Sequence, residues 1–208
     1  MAAQRHRLQL AIKRAVDVVV AAVALVLLSP LMAVIAAVIL LTMGPPVLFR
    51  HRRLGLGGRE FTLLKFRTMR GRPPGPGAAL DDELRITRLG RVLRALTLDE
   101  LPELVNVLRG DLSLVGPRPL LPEYRELYSS EQWRRHEMPP GMAGPALAAG
   151  RNALSWDDKF AADVAYVDDW SLWLDAKVLA LSVWRVLRRE GVSAEGHATM
   201  PRFEGPRE

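Results

Sequence analysis

Two adjacent carboxylates, Asp99 and Glu100, stand near the start of the segment "TLDELPELVNVLRG" (97–110), just after a run of arginines at 85, 88, 91 and 94. Neighbouring acids repel, so the pair needs a reason. One reason is local: Thr97 and Glu100 have capping-box spacing, with the glutamate bonding back to the Thr97 amide. The other is chemical. An ionised aspartate can attack phosphorus or carbon, and a glutamate beside it suits a divalent cation that relieves the repulsion and neutralises a diphosphate. Pro102 belongs in the first turn of a helix. It moves the start towards Leu101 and leaves the acids just outside the positive helix end, which favours their charged form.

Groups that could hold an anion surround this pair in sequence. In "LLKFRTM", Lys65 and Arg67 share a strand face. Arg88, Arg91 and Arg94 recur at helical spacing, which a solvated basic face explains equally well. In "GPRP", Pro117 and Pro119 restrict the backbone around Arg118 and so pre-position its guanidinium. Arg151 follows a glycine in "GRN". Together these residues point to a phosphate-bearing substrate.

The composition narrows the chemistry. The 208 residues suit one domain of ordinary size, or a smaller domain with an attached segment. The formal charge of +6 favours an anionic partner. There is no cysteine, which removes disulfides, thiol nucleophiles and thiolate metal sites, and the four histidines are scattered. Mg2+ on oxygen ligands, Asp99 and Glu100, is the natural metal expectation. The basic residues lack the interleaved aromatics of a single-strand nucleic-acid platform, so nucleic acid is not expected as a partner.

An anchor must bring these groups to their substrate. From Val18 to Met43 the only polar side chains are Ser29 and Thr42. About 26 helical residues cover about 39 Å, enough to cross a bilayer. Ser29-Pro30 lies near the midpoint, where proline removes a hydrogen bond and serine can satisfy the freed carbonyl. Both flanks are basic, with Lys13 and Arg14 on one side and Arg50, Arg52 and Arg53 on the other, which favours the cytoplasmic side for both. Two readings stand: a spanning helix with a tolerated kink, and a re-entrant hairpin broken at Ser29-Pro30. Asp17 is expected to pair with Lys13 one turn earlier, near the surface. The expected division is 1–43, basic segment and membrane hairpin, and 44–208, catalytic domain.

Further on, 47–49 and 61–66 read as a β-hairpin around a glycine-rich turn. "GRPPGPG" (71–77) reads as a loop, either a surface excursion or a mobile lid. Helices are expected over 85–96, over 98–108 with Gly110 as C-cap, over 123–137, and after Ser155 and Ser171. A short strand is expected in "LSLVGPRPLLP" and a loop over 139–152. The last helix carries Trp173 and Trp184 and ends in arginines, as a core helix or one lying on the membrane interface.

The chain resembles the bacterial sugar transferases, and within them the small monotopic phosphoglycosyl transferases. The resemblance is carried by "KRAVD", "LLSP", "FTLLKFRTM", "ITRLGRVLRALTLDELPELVNVLRGDLSLVGPRPLLPEY", "PGMAG", "GRNALSWDDKF", "DVAYVDDWSLWLDAK" and "GVSAEGHATMPRF". It implies a mostly helical α+β fold with a re-entrant membrane helix, a small hairpin and interfacial helices, on the cytoplasmic face of the bacterial inner membrane. It implies that Asp99 attacks the β-phosphate of a UDP-sugar, that UMP leaves, and that polyprenyl phosphate then takes the sugar-phosphate. It associates Glu100 with Mg2+. It links Lys65, Arg94, Arg118 and Arg151 to phosphate or nucleotide, Pro117-Arg118-Pro119 to uridine, and Lys13, Arg14, Ser29 and Pro30 to the membrane. Membrane lipids are implied partners, and a homodimer is compatible. A minimal catalytic unit with no extra N-terminal bundle is expected. The chain departs from the family at His51 and Glu103, where glutamines are usual, and over 143–147, where Leu147 replaces an amide. These departures touch sugar specificity. The alternative class is a membrane-anchored scaffold that binds nucleotide sugars without turning them over; a spanning anchor on a nucleic-acid-binding domain is the third.

Overall fold

The computed structural model describes residues 2–71, 85–149, 154–188 and 203–205. It is a mostly helical α+β structure. A single long helix, α1 (Ala2–Met43), leads into an antiparallel hairpin, β1 (Leu48–Leu54) and β2 (Glu60–Phe66). Next come α2 (Arg88–Ala95), a 3-10 turn at Leu98–Glu100, α3 (Glu103–Arg109) and β3 (Ser113–Val115). After short helical turns over 122–137, which include α4 (Ser130–Trp133), β4 (Gly141–Ala143) pairs in parallel with β3. The elements α5 (Pro145–Ala149), α6 (Trp156–Asp168) and α7 (Leu172–Arg188) complete the body.

At 1.5 Å per residue, the 42 residues of α1 extend about 63 Å. It is long and apolar enough to cross a membrane by length and composition. The helical assignment runs on through Pro30. The reason is visible in the side chain before it. Pro30 has no N–H for the carbonyl of Val26, and Ser29 Oγ donates to that oxygen at 2.8 Å.

Both halves of α1 pack on the same body. Ala21 has no exposed surface and lies in a core with Leu63, Leu104, Val107 and Leu112, against which Leu25 and Leu28 pack. Ile35 and Ile39 lie in a second core with Phe66 and Leu93. The opposite side, including Val19, Val23, Val26, Leu27, Val34 and Leu41, is exposed along the helix.

Polar contacts also dock α1. The expected Lys13–Asp17 pair does not form. Lys13 Nζ is 2.6 Å from Asp175 Oδ2 and donates to Val115 O at 2.9 Å. Asp17 Oδ1 accepts from the Leu114 N–H at 3.0 Å. Both side chains are buried, and groups on β3 and α7 offer them partners that satisfy burial. Arg14 donates to Val107 O and Leu108 O, carbonyls at the end of α3. Thus Lys13 and Arg14, linked to the membrane in sequence, fasten α1 to the body.

The local signals mostly hold. Ser155 caps α6, the Ser171 hydroxyl accepts from the Leu174 N–H, and Gly110 ends α3 at φ 89°, in the left-handed region that favours glycine. The expected helix over 123–137 is instead a series of short turns. Trp173 and Trp184 are exposed on α7, at 78% and 52%, so they are not core residues.

Candidate active site

The acids sit where Pro102 pointed, in the 3-10 turn ahead of α3. The capping box does not form. Thr97 has φ 58°, a left-handed conformation uncommon for a residue with a side chain, and its buried Oγ1 has no partner. That turn lets the chain fold back sharply between α2 and α3, and Asp99 ends up buried at 9% exposure.

Asn106 fixes α3 to the hairpin. Its Oδ1 accepts from the Leu64 N–H at 3.0 Å and its Nδ2 donates to Thr62 O at 2.7 Å. This contact brings Lys65 beneath the acids. Lys65 Nζ lies 2.5 Å from Glu100 Oε1 and 3.1 Å from Glu103 Oε1. Arg118 Nη2 reaches the same Glu100 oxygen at 2.8 Å.

The turn that carries Arg118 is pinned by its backbone. Pro117 O accepts from the Gly141 N–H at 3.0 Å, Arg118 O from Arg135 Nη2 at 2.6 Å, and Leu120 O from the Leu54 N–H at 3.0 Å. Arg135 is itself held by Asp163 in a buried ion pair at 2.6 Å. Gly141 has to be glycine: a Cβ there would stand 2.0 Å from Gly116 N.

The charges are unevenly matched. Burial pushes the Asp99 carboxyl up, and Glu100 adds to this; Lys65 and Arg94 pull the other way. Burial opposes ionisation of Glu100 too, but Lys65 and Arg118 outweigh it and hold Glu100 well below the usual range. Burial and the neighbouring Glu100 push Glu103, only 3% exposed, up to about 7. Glu100 is therefore firmly ionised, while Asp99 is a desolvated carboxylate with no cation bound to it directly among the described residues. Such a group is more nucleophilic than a solvated one.

The structure gathers Asp99, Glu100, Lys65 and Arg118 and places Arg94 near them, with Arg94 Nε donating to Thr68 Oγ1 at 3.0 Å. Arg88 and Arg91 are exposed, so the arginine stripe divides into one site residue and a solvated face. Arg67 is directed elsewhere: it donates to Met43 O at 2.8 Å, to Pro45 O at 3.1 Å, and to Gly44 O, gripping the end of α1. Arg151 lies outside the described residues, as do residues 72–77 of the expected 71–77 loop.

Arg53 was not read as a site residue from sequence. The register pairs Phe49 with Lys65, His51 with Leu63 and Arg53 with Phe61, so His51, Arg53 and Lys65 share one hairpin face. The alternation 49, 51, 53 held that information, but only once the turn was located.

The model of the bacterial sugar transferase family matches residues 8–189. The chain is 50% identical to the sugar transferase EpsL of Bacillus subtilis over 93% of this chain and 96% of that one. It is 44% identical to a UDP-glucose:undecaprenyl-phosphate glucose-1-phosphate transferase of Caulobacter vibrioides, over 82% of this chain and 68% of the relative. It is 38% identical to the exopolysaccharide production protein ExoY of Rhizobium meliloti, over 86% and 87%. With its site geometry and these similarities, the chain belongs to the bacterial sugar transferase family.

Proposed function

We propose that this chain is a membrane-bound phosphoglycosyl transferase that moves a sugar-1-phosphate from a UDP-sugar to polyprenyl phosphate. Undecaprenyl phosphate is the carrier that relatives' names indicate, and polysaccharide assembly is the setting. The observation that carries the reading is a buried Asp99 beside a Glu100 held by Lys65 and Arg118.

The transfer divides into two displacements. An Asp99 carboxylate oxygen attacks the β-phosphorus, the bond to the bridging oxygen breaks, and UMP departs with its electron pair. An acyl phosphate joining Asp99 to the sugar phosphate remains. An oxygen of polyprenyl phosphate then attacks the same phosphorus and Asp99 leaves as carboxylate, so neither step consumes another reactant. Lys65, Arg94 and Arg118, gathered near the acids, would meet the phosphate charge.

Mg2+ fits the residues present. Glu100 uses Oε1 for both cations, and its Oε2 makes no bond among the described residues. Asp99 and Glu100 would hold the ion, which would supply neutralisation of the diphosphate.

The re-entrant reading of α1 accounts for a helix with an exposed apolar side whose two halves both rest on one body. Pro30, lacking a donor, is the natural point for a bend. Both ends would then face the cytoplasm, with the acids at the interface where a soluble and a lipid substrate meet. The exposed Trp173 and Trp184, with Arg188 stacked 4.3 Å from the Trp184 ring centre, suit the same interface.

A UMP-release assay over a panel of UDP-sugars, with polyprenyl phosphate and Mg2+, tests the reading. Release accompanied by a sugar-phosphate mass on Asp99 is expected. UDP-sugar binding without release would leave a scaffold instead.

A further inference from the structure

Arg53 is a partly buried cation that no acid touches directly among the described residues. Its Nε is buried and has no hydrogen-bond partner. Its Nη2 donates to His51 Nδ1 at 3.1 Å, a neutral acceptor. Among the described residues Arg53 forms no ion pair, whereas Arg52 beside it, on the other face, bonds Glu60 at 3.0 Å. A partly buried guanidinium whose nearest acids, Glu103 and Glu100, act only at a distance is costly, and one unmet donor adds to the cost.

Its position gives the reason for keeping it. Leu54, the next residue, donates its N–H to Leu120 O, which sets the end of β1 against the turn that holds Arg118. Arg53 also shares its hairpin face with Lys65, whose amine touches Glu100. The guanidinium thus lies on the face that carries Lys65, four residues along the hairpin, and within electrostatic reach of Arg118, both committed to Glu100. Burial and the charge of Arg118 lower its proton affinity to about 10, outweighing the opposing pull of Glu103 and Glu100. The same two conditions would be relieved by an anion placed between the two guanidinium groups.

We propose that Arg53 is a phosphate-binding residue that forms, with Arg118, a two-arginine clamp for a substrate phosphate, with His51 holding the Arg53 fork in place. Planar guanidinium groups take phosphate oxygens in pairs, and two of them neutralise a dianion better than one. The nucleotide diphosphate and the prenyl phosphate both offer this chemistry. The assignment rests on the transferase reading.

Calorimetric titration of the full-length protein in nanodiscs tests it, with UDP in one arm and a short prenyl phosphate in the other. Arg53→Gln is expected to weaken one or both at least tenfold, and the affected arm names the phosphate. Arg52→Gln is expected to stay within twofold of wild type in both. If Arg53→Gln also stays within twofold in both arms while wild type binds, Arg53 is not part of the site. If wild type neither binds UDP nor releases UMP, the transferase reading fails first and takes the clamp with it. Where Arg53→Gln does not fold, wild type decides the matter. Phenylglyoxal modification of Arg53, mapped by mass spectrometry, should slow at least fivefold under saturating UDP or prenyl phosphate. Modification unslowed by either overturns the assignment.

Discussion

Lys65 Nζ lies 2.5 Å from Glu100 Oε1, and the same amine serves Glu103 at 3.1 Å. One cation therefore stands between two enclosed carboxylates. Removing it with Lys65→Met strands both acids, with Arg118 left to neutralise Glu100 alone. Breaking a buried pair in this way costs about 3 kcal/mol or more. Thermal unfolding in detergent should show a clear drop in Tm, and the second change Glu103→Gln should restore part of it by removing one stranded acid. A Tm for Lys65→Met equal to wild type would mean that the amine contributes nothing to the fold.

Asp99→Asn keeps the shape of the side chain and removes its nucleophilic oxygen. Loss of transfer by at least about a thousandfold is expected, with no sugar-phosphate mass on the protein. The folded fraction should match wild type, because burial already disfavours charge at this position. Turnover close to wild type would exclude Asp99 as the nucleophile.

His136 gives the fold a dependence on acid. A carbonyl only accepts, so its Nδ1 donates to Trp133 O at 3.1 Å, and Nε2 is buried without a partner. Burial, then Arg135, lowers its pKa from 6.5 to about 4. The unfolded chain therefore binds a proton that the folded one refuses between those values. Stability from this group is complete above pH 6.5 and is lost as pH falls towards 4. The size is about 3 kcal/mol across the window. His136→Phe, which preserves the ring between Trp133 and Tyr128, should flatten the difference in chemical-denaturation curves. Identical pH profiles for the two proteins would contradict this.

The two ends of α1 should label from one side. Single cysteines at positions 10 and 55, probed in sealed vesicles with an impermeant maleimide, should react together or be protected together. Reaction of one from inside and the other from outside would establish a crossing.

What the sequence disclosed was local in origin. Ser155, Ser171 and Gly110 act on backbone groups within a few residues, and the hairpin follows from alternation and glycine. Pro102 similarly placed the acids outside α3. Long-range pairing was hidden. Lys13 finds Asp175 rather than Asp17, four residues away, because burial makes the choice, not spacing. The strand β4 was read as a loop because its Pro/Gly-rich stretch has no alternation, and its partner β3 makes it a strand. Arg53 was counted with the flanking basic residues, since only the register distinguishes it from Arg52.

Ala21 and Ile39 have no surface left to water, and what covers them is the catalytic body itself. The anchor is therefore also the floor of the enzyme. Trimming it away would not liberate a water-soluble catalyst; it would strip Val107, Leu112, Phe66 and Leu93 of their cover and invite clumping. A detergent-free form would have to retain the whole helix and exchange its outward valines and leucines for hydrophilic side chains. The long apolar helix and the body beneath it are one packed unit, and the first cannot be discarded to study the second.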